Sequence, residues 1–566
     1  MLNNGSVSAP RDFGLGSGVP WMSIALETAS PPRLSRPGLF IAWLVLGTAL
    51  SAATVFLGVL NHDVAWYLLV ARRVSAGERL YIEVFDTNPP LIIWLNLPAV
   101  LLAKALGISE IVGLRVLVLA LIGVSLGLTD WALGRAMPDR VNARRVLLLL
   151  SLFVLLPAVG YDFAQREHLM MILALPYVML ASARATVRGI GGILPWVVGI
   201  LAGVGLSIKP HFLLLWLAVE ATLILRRGWR IAFRPEGLMI VAIGLSYAVS
   251  ILTVTPSYLP WINRITSVYY RAGGATVATL ATERGTIVTI LGVIAFLVLR
   301  PSGGVRRRIE VILAANLALL TIALLQLKGF PYQFYPPMAL GILLMGWVVV
   351  EPRGEPGWKS LSVRVVRVTL AILLVVVSVQ RCVESVGWRG HPGNTNTFFG
   401  RMIRATKEHA GGGSIFMFST AVAAGFPMVN YTGVEWASRH PALLFLPGCY
   451  SGESRPGAAI TFHPPDRMGA GERFLFDNVI ERLLKDQPGL IFVDDTTTNL
   501  AFDGRTFDYL GYYSQDPRFA KFLRDYVPLN RVDQFRLYRR RPRSSKKPKG
   551  RGDHGGCRPR AHTESE

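Results

Sequence analysis

Cysteine is nearly absent: three residues in 566, at positions 382, 449 and 557, with no CxxC pair and no Cys/His group at ligand spacing. That excludes a zinc or iron–sulfur scaffold. It leaves Cys382 and Cys449 either to pair in an oxidising compartment or to stand as unpaired structural residues. Charge is scarce as well. Charged residues make up 17% of the chain against 52% hydrophobic ones, and the mean hydropathy is +0.42. A soluble protein of this length could not present so little charge to water, so the chain reads as a polytopic membrane protein. Acids are the scarcer sign, 36 against 59 bases, for a net charge of +23. In a soluble chain that excess would point to nucleic acid. Here the Lys and Arg cluster in short loops between apolar runs, where they set topology, and no nucleic-acid partner is expected.

What the chain does contain is a series of apolar runs, at about 38–60, 110–134, 146–160, 168–183, 190–208, 211–225, 236–255, 286–300, 309–327, 336–350 and 364–380. They imply about eleven crossings. With the N-terminus in the cytoplasm, the alternate loops holding Arg135 to Arg145, Arg184 and Arg188, Arg226 to Arg234, Arg300 to Arg308, and Arg353 to Arg364 all fall inside, as the positive-inside rule requires. The piece Leu91 to Leu106 would break this parity, so it is expected to be a helix at the outer surface, started by Pro89-Pro90. Residues 1–37 read as a disordered cytoplasmic leader ahead of an uncleaved signal anchor. Beyond residue 381 the pattern alternates: helical periodicity over 398–409 and 472–485, and short strand-like runs over 414–419, 489–493 and 534–538. The expected fold is therefore an α-helical polytopic membrane protein with a small C-terminal α/β extracytoplasmic domain over 381–540, followed by a basic disordered tail, 541–566.

The polar residues that interrupt this plan gather on the outer side. The first outer loop, 61–109, carries Asp63 and Asp86 among Trp66, Tyr67, Tyr81 and Phe85. The second is Tyr161-Asp162-Phe163-Ala164-Gln165-Arg166-Glu167-His168, the third Lys209-Pro210-His211, and a later one begins Lys328-Gly329-Phe330. Lys209 interrupts an apolar stretch, and a lysine at mid-bilayer costs about 2.5 to 3.5 kcal/mol, so it belongs at the tip of a hairpin, snorkelling to headgroups or waiting for a phosphate. Asp63 is either the N-cap of the helix that follows or a catalytic acid. Asp86 serves a turn or binds phosphate or metal, and Asp162 either pairs with Arg166 or joins the site. His168 and His211 have no second histidine at ligand spacing and read as orienting side chains. Two further motifs are discounted: Asp494-Asp495 at a strand end, and Asn430-Tyr431-Thr432, a glycosylation acceptor pattern that arises often by chance.

Asp63, Trp66-Tyr67, Ala71-Arg72, Gly77, Leu80-Tyr81, Asp86, Asn88-Pro89-Pro90-Leu91 and Trp94 together resemble the first loop of the GT-C membrane glycosyltransferases, in the branch of the protein O-mannosyltransferases and the lipid A aminoarabinose transferases. The 161–168 and 208–211 segments look like the envelope-glycan transferases of that branch. The resemblance covers roughly residues 39–340. Two positions depart from it: the family's adjacent acids appear here as Asp63-Val64, and Gln333 stands where a histidine is often found. The resemblance implies a GT-C-like catalytic domain over 38–380 and transfer of a sugar from a polyprenyl-phosphate carrier to an envelope glycan, lipid or protein acceptor. This would take place at the outer face of a bacterial inner membrane. It further implies Asp63 as general base and Lys209, Arg166 and Lys328 as donor-phosphate cations. Asp86, Asp162, Glu167, His168 and His211 would bind sugar, or bind a divalent cation, Mg2+ or Mn2+, through Asp86 and Asp162. The rival readings are a lipid-linked glycan transporter, which would show mid-bilayer charges or duplicated halves, and a non-catalytic envelope assembly protein.

Overall fold

The computed structural model describes residues 58–269, 274–350, 393–451, 460–497 and 499–542, with isolated positions at 55–56 and between 364 and 376. The leader, most of the first and last expected crossings, the tail beyond 542, and Cys382 and Cys557 lie outside the described residues.

Twelve longer helices build the first part: α1 (His62–Ser75), α2 (Leu91–Leu106), α3 (Glu110–Ala136), α4 (Val141–Leu155), α5 (Arg166–Arg184), α6 (Leu194–Ser207), α7 (Leu213–Arg227), α8 (Pro235–Val254), α9 (Tyr258–Tyr269), α10 (Arg284–Leu299), α11 (Gly303–Leu325) and α12 (Pro331–Val350). Polar side chains set where several of them start. Ser109 accepts from Val112 N to cap α3, and Pro235 occupies the first turn of α8, where its missing N–H costs nothing. Among the described residues, five helices are long and apolar enough to cross a membrane. Three more, α2, α6 and α10, are apolar but only 14 to 16 residues long. Length therefore accounts for fewer crossings than the hydropathy of the sequence implies. The middle of the bundle is α5. Every one of its residues is buried, and α3, α6, α11 and α12 pack around it.

The C-terminal part holds α13 (Phe398–His409), β1 (Ser414–Phe418), β2 (Glu435–Trp436), α14 (Ala470–Asp486), β3 (Leu490–Asp494), β4 (Tyr526–Pro528) and β5 (Phe535–Arg540). Its sheet runs β2-β1-β3-β5-β4, with β1 parallel to both β2 and β3, and β5 antiparallel to β3 and β4. All five residues of β3 are buried, as expected of an apolar central strand covered on both faces. Asp494 ends that strand by accepting from Ser419 Oγ at 2.8 Å, while Asp495 pairs with Arg531 and Arg536. Asn430 donates its amide to Ala65 O of α1 at 3.0 Å, which gives this side chain a packing role between the two parts.

Candidate active site

The first outer loop is locked from several sides before it presents any chemistry. Asn61, not Asp63, caps α1: its Oδ1 accepts from Asp63 N at 2.9 Å and from Val64 N at 3.5 Å. That leaves the Asp63 carboxylate free of the capping duty considered from sequence. Phe85 N bonds Arg439 O at 2.8 Å, and Phe85 stacks on His440 with centroids 5.0 Å apart. Trp261 of α9 donates to Asp86 O at 2.6 Å, and Arg73 donates to Ser438 O at 2.8 Å. The loop is thus clamped between α9 and the segment around 436–441.

Beneath it lies a cavity of about 740 Å³. Its wall is assembled from the start of α1 (His62, Asp63, Trp66, Tyr67), the 86–88 turn, the turn before α5 (Val159–Asp162, then Arg166), the start of α10 (Glu283–Gly285), and the start of α12 (Phe330–Met338). The C-terminal part adds Ala421–Ala423, Pro441 and Leu444. Of the residues singled out from sequence, Asp63, Asp86, Asp162 and Arg166 line this cavity. Lys209, Glu167, His168, His211 and Lys328 do not.

Amides organise the acidic side. Gln165 Nε2 donates to Asp63 Oδ2 at 2.9 Å and to Asn61 Oδ1 at 3.0 Å, and Asn61 Nδ2 reaches Asp162 Oδ1 at 3.3 Å. Arg166 Nη2 lies 3.4 Å from Asp63 Oδ2, and Nη1 of the same guanidinium bonds Asn88. The guanidinium also sits over the rings of Tyr67 and Tyr332, 5.5 and 5.3 Å from their centroids. Burial alone would raise the Asp63 carboxyl, but the charges of His62 and Arg166, the Gln165 amide and the more distant Lys209 hold it below the ordinary carboxylate value. Asp86 is the reverse case. Asn88 N and Nδ2 donate to one of its oxygens at 2.6 and 2.7 Å and Trp66 Nε1 to the other at 2.6 Å, yet burial outweighs them and the carboxyl is raised. The Asn88 bonds form the turn foreseen as the rival role for Asp86.

Lys209 stands one layer behind the wall, its Nζ 2.5 Å from Glu167 Oε1, and Glu167 Oε2 lies 3.9 Å from Arg166 Nε. Asp63, Arg166, Glu167 and Lys209 therefore form a chain of alternating charge running inward. His168 is fully buried, with Nε2 2.8 Å from Leu155 O and Nδ1 accepting from Ala164 N, so it holds the turn before α5 in shape. His211 meets Phe212 edge-on in the turn after Lys209. No three His, Cys, Asp or Glu side chains are grouped as a metal site among the described residues. Asp86 and Asp162, the pair expected to hold a divalent cation, both line the cavity, and both Asp86 oxygens already accept N–H bonds.

Sequence reasoning passed over Asn61, Asn88, Gln165, Glu283 and Arg284. For Asn61 a signal existed, an amide just ahead of an apolar helical run. Asn88 and Gln165 stand within the loop motifs singled out from sequence, where their neighbours drew the attention, and for Glu283 and Arg284 the sequence carries no signal.

The fold resembles solved structures of low sequence identity. The solved structures it resembles include ArnT from Cupriavidus metallidurans in the apo state, with a TM-score of 0.53 and 14% identity over 88% of this chain and 97% of that one. ArnT bound to undecaprenyl phosphate gives a TM-score of 0.52 and 12% identity, covering 88% and 98%. The mycobacterial arabinofuranosyltransferase AftD is a more distant likeness, with a TM-score of 0.42 and 15% identity over 88% of this chain and 40% of that one. No family model matches the chain, and no curated protein matches it in sequence.

Proposed function

We propose that the protein is a glycosyltransferase that moves a sugar from a polyprenyl-phosphate carrier to an envelope glycan, lipid or protein acceptor. The observation that carries this reading is the meeting of Asp63 and Arg166, 3.4 Å apart, on one cavity wall of an ArnT-like fold. The carrier class is supported by the undecaprenyl phosphate held in an ArnT structure. In such a transfer the anomeric carbon gains oxocarbenium character while the acceptor hydroxyl loses its proton. A carboxylate beside the hydroxyl supplies general-base assistance, typically about 100- to 10,000-fold. The leaving group is a phosphate, a weak base that needs cations more than an acid. Arg166, held by Tyr67, Tyr332 and Asn88, is preorganised for that charge, and Arg284 is a second guanidinium on the same cavity. Lys209 acts through Glu167 and Arg166 rather than by contact with the phosphate.

In this reading the chain crosses a bacterial inner membrane about eleven times. The N-terminus is cytoplasmic and the C-terminal α/β part lies on the outer face, where the cavity opens to sugar and acceptor. Asp63→Asn tests the assignment, because the amide is nearly isosteric yet cannot take a proton. Sugar transfer by membranes carrying the full-length variant falls by about 100-fold or more. Undiminished transfer by a normally folded variant would sink it.

A further inference from the structure

The reading above leaves the acceptor's proton on Asp63, and the surroundings of that carboxylate are poorly suited to keep it. Oδ2 accepts from Gln165 at 2.9 Å and faces Arg166 at 3.4 Å. A carboxylate stabilised in this way is a weak Brønsted base near neutrality. Oδ1 is placed differently. Beside it stands the imidazole of His62, with Nε2 at 3.6 Å, too far for a hydrogen bond. The other ring nitrogen, Nδ1, is 3.0 Å from Tyr161 Oη, and that oxygen also accepts from the His62 backbone N–H at 3.1 Å. The two rings stack with centroids 5.9 Å apart, so Tyr161 fixes the plane of the imidazole. His62, Asp63 and Tyr161 all line the cavity, and the His62 side chain is 30% exposed.

We propose that His62 and Asp63 work as a pair: the acceptor hydroxyl sits astride the gap between Nε2 and Oδ1, and its proton ends on His62. This rests on the glycosyltransferase reading and replaces Asp63 with His62 as the final destination of the proton, Asp63 balancing the charge. A hydroxyl oxygen about 2.8 Å from each atom spans the gap. With Nδ1–H donated to Tyr161 Oη, Nε2 carries the lone pair. In the step, the acceptor O–H bond breaks and the proton passes to Nε2, while the acceptor oxygen bonds to the anomeric carbon. The bond from that carbon to the phosphate oxygen breaks, and its electron pair leaves with the polyprenyl phosphate. The imidazolium that results is stabilised by the neighbouring carboxylate, the arrangement in which an acid orients a base and balances its charge. The charged and titratable groups about the ring are Asp63 on its own helix, Tyr161 and Asp162 from the turn before α5, Arg166 on α5, and Tyr431 of the C-terminal part, whose hydroxyl accepts from Leu60 N at 3.2 Å.

The test uses membranes of the full-length protein, which supply the acceptor, and radiolabelled undecaprenyl-phosphate hexoses and pentoses. The donor that the wild type consumes is carried forward. His62→Gln lowers kcat by about 100-fold with little change in donor KM. His62→Ala regains activity when imidazole is added to the assay, which shows in addition that the variant is folded. Tyr161→Phe, which keeps the stacked ring, gives an intermediate loss. Wild-type kcat in His62→Gln, beside an inactive Asp63→Asn, overturns the His62 role and leaves the transferase reading intact. A fully active Asp63→Asn, or a wild type that consumes none of the donors, overturns the transferase reading and the pair with it.

Discussion

Asp63 and Asp86 share a cavity wall, yet their surroundings push the two carboxyls in opposite directions. For Asp63 the folded value is depressed, so the ionised side chain stabilises the fold above the ordinary carboxylate value. That contribution is lost only as pH falls through the lower folded value. For Asp86 the folded value is raised. Its protonated form is the one the fold favours, fully so below the unfolded value, and the contribution is lost as pH rises through the raised value. Against Asp86→Asn, which cannot titrate there, the wild type should therefore gain thermal stability as the buffer goes from about pH 7 to about pH 4. A constant difference in Tm across that range would contradict the direction of the Asp86 shift. Lys209 is a test of a different kind. Removing it as Lys209→Met leaves Glu167, 2% exposed, with Arg166 at 3.9 Å as its remaining cation, at a cost below the about 3 to 5 kcal/mol of a buried charge left wholly unpaired. The double change with Glu167→Gln recovers part of that cost, because the pair interacts directly; thermal unfolding in detergent measures both. At this scale charge is what the sequence makes legible. Asp63, Asp86, Asp162 and Arg166 stand out because ionised groups are rare beside apolar runs. The amides do not stand out, since Gln165 acquires its role only by meeting Asp63 across 102 positions of chain.

Among the elements, the approach of α10 to α12 deserves a direct perturbation. A Cβ at Gly285 would lie 2.3 Å from Phe334 O, so the two helices can be this close only because Gly285 has no side chain. Both elements line the cavity at this level, through Glu283 to Gly285 and Phe330 to Met338. Gly285→Ala must push them apart, and the expected outcome is a Tm lowered by several degrees together with loss of sugar transfer. An alanine variant with unaltered melting and transfer would show that the wall tolerates the shift. The helices themselves are legible from hydropathy: the runs at 110–134, 236–255 and 309–327 correspond to Glu110–Ala136, Pro235–Val254 and Gly303–Leu325. In the C-terminal part, β1, β3 and β5 fall close to the runs expected at 414–419, 489–493 and 534–538. What escapes is what is short or amphipathic. β2 spans two residues and β4 three, too few for any alternation to register, and α9 mixes Trp261, Asn263 and Arg264 in one turn.

On the scale of the whole molecule, the cavity is a joint product of the two parts of the chain. Leu443 N bonds Ser419 O at 2.9 Å, tying the 441–444 segment to the end of β1, and the residues just beyond that end, Ala421 to Ala423, complete the wall. The proposed placement of this part on the outer face predicts that alkaline phosphatase fused after residue 566 is active and that a green fluorescent protein fused there stays dark. The opposite pattern would place the sheet inside and reverse the proposed topology. This long-range closure is invisible in sequence, because Ala421-Val422-Ala423 is an unremarkable apolar tripeptide until the fold sets it opposite Asp63.

Synthesis runs from one end of the chain to the other, so Asp63 and Arg166 leave the ribosome long before Ala421 and Leu444. A nascent or prematurely terminated chain thus carries the acid and the guanidinium but not the wall that shuts water away from them. The order of translation keeps this pair from being enclosed until the last part of the chain has folded.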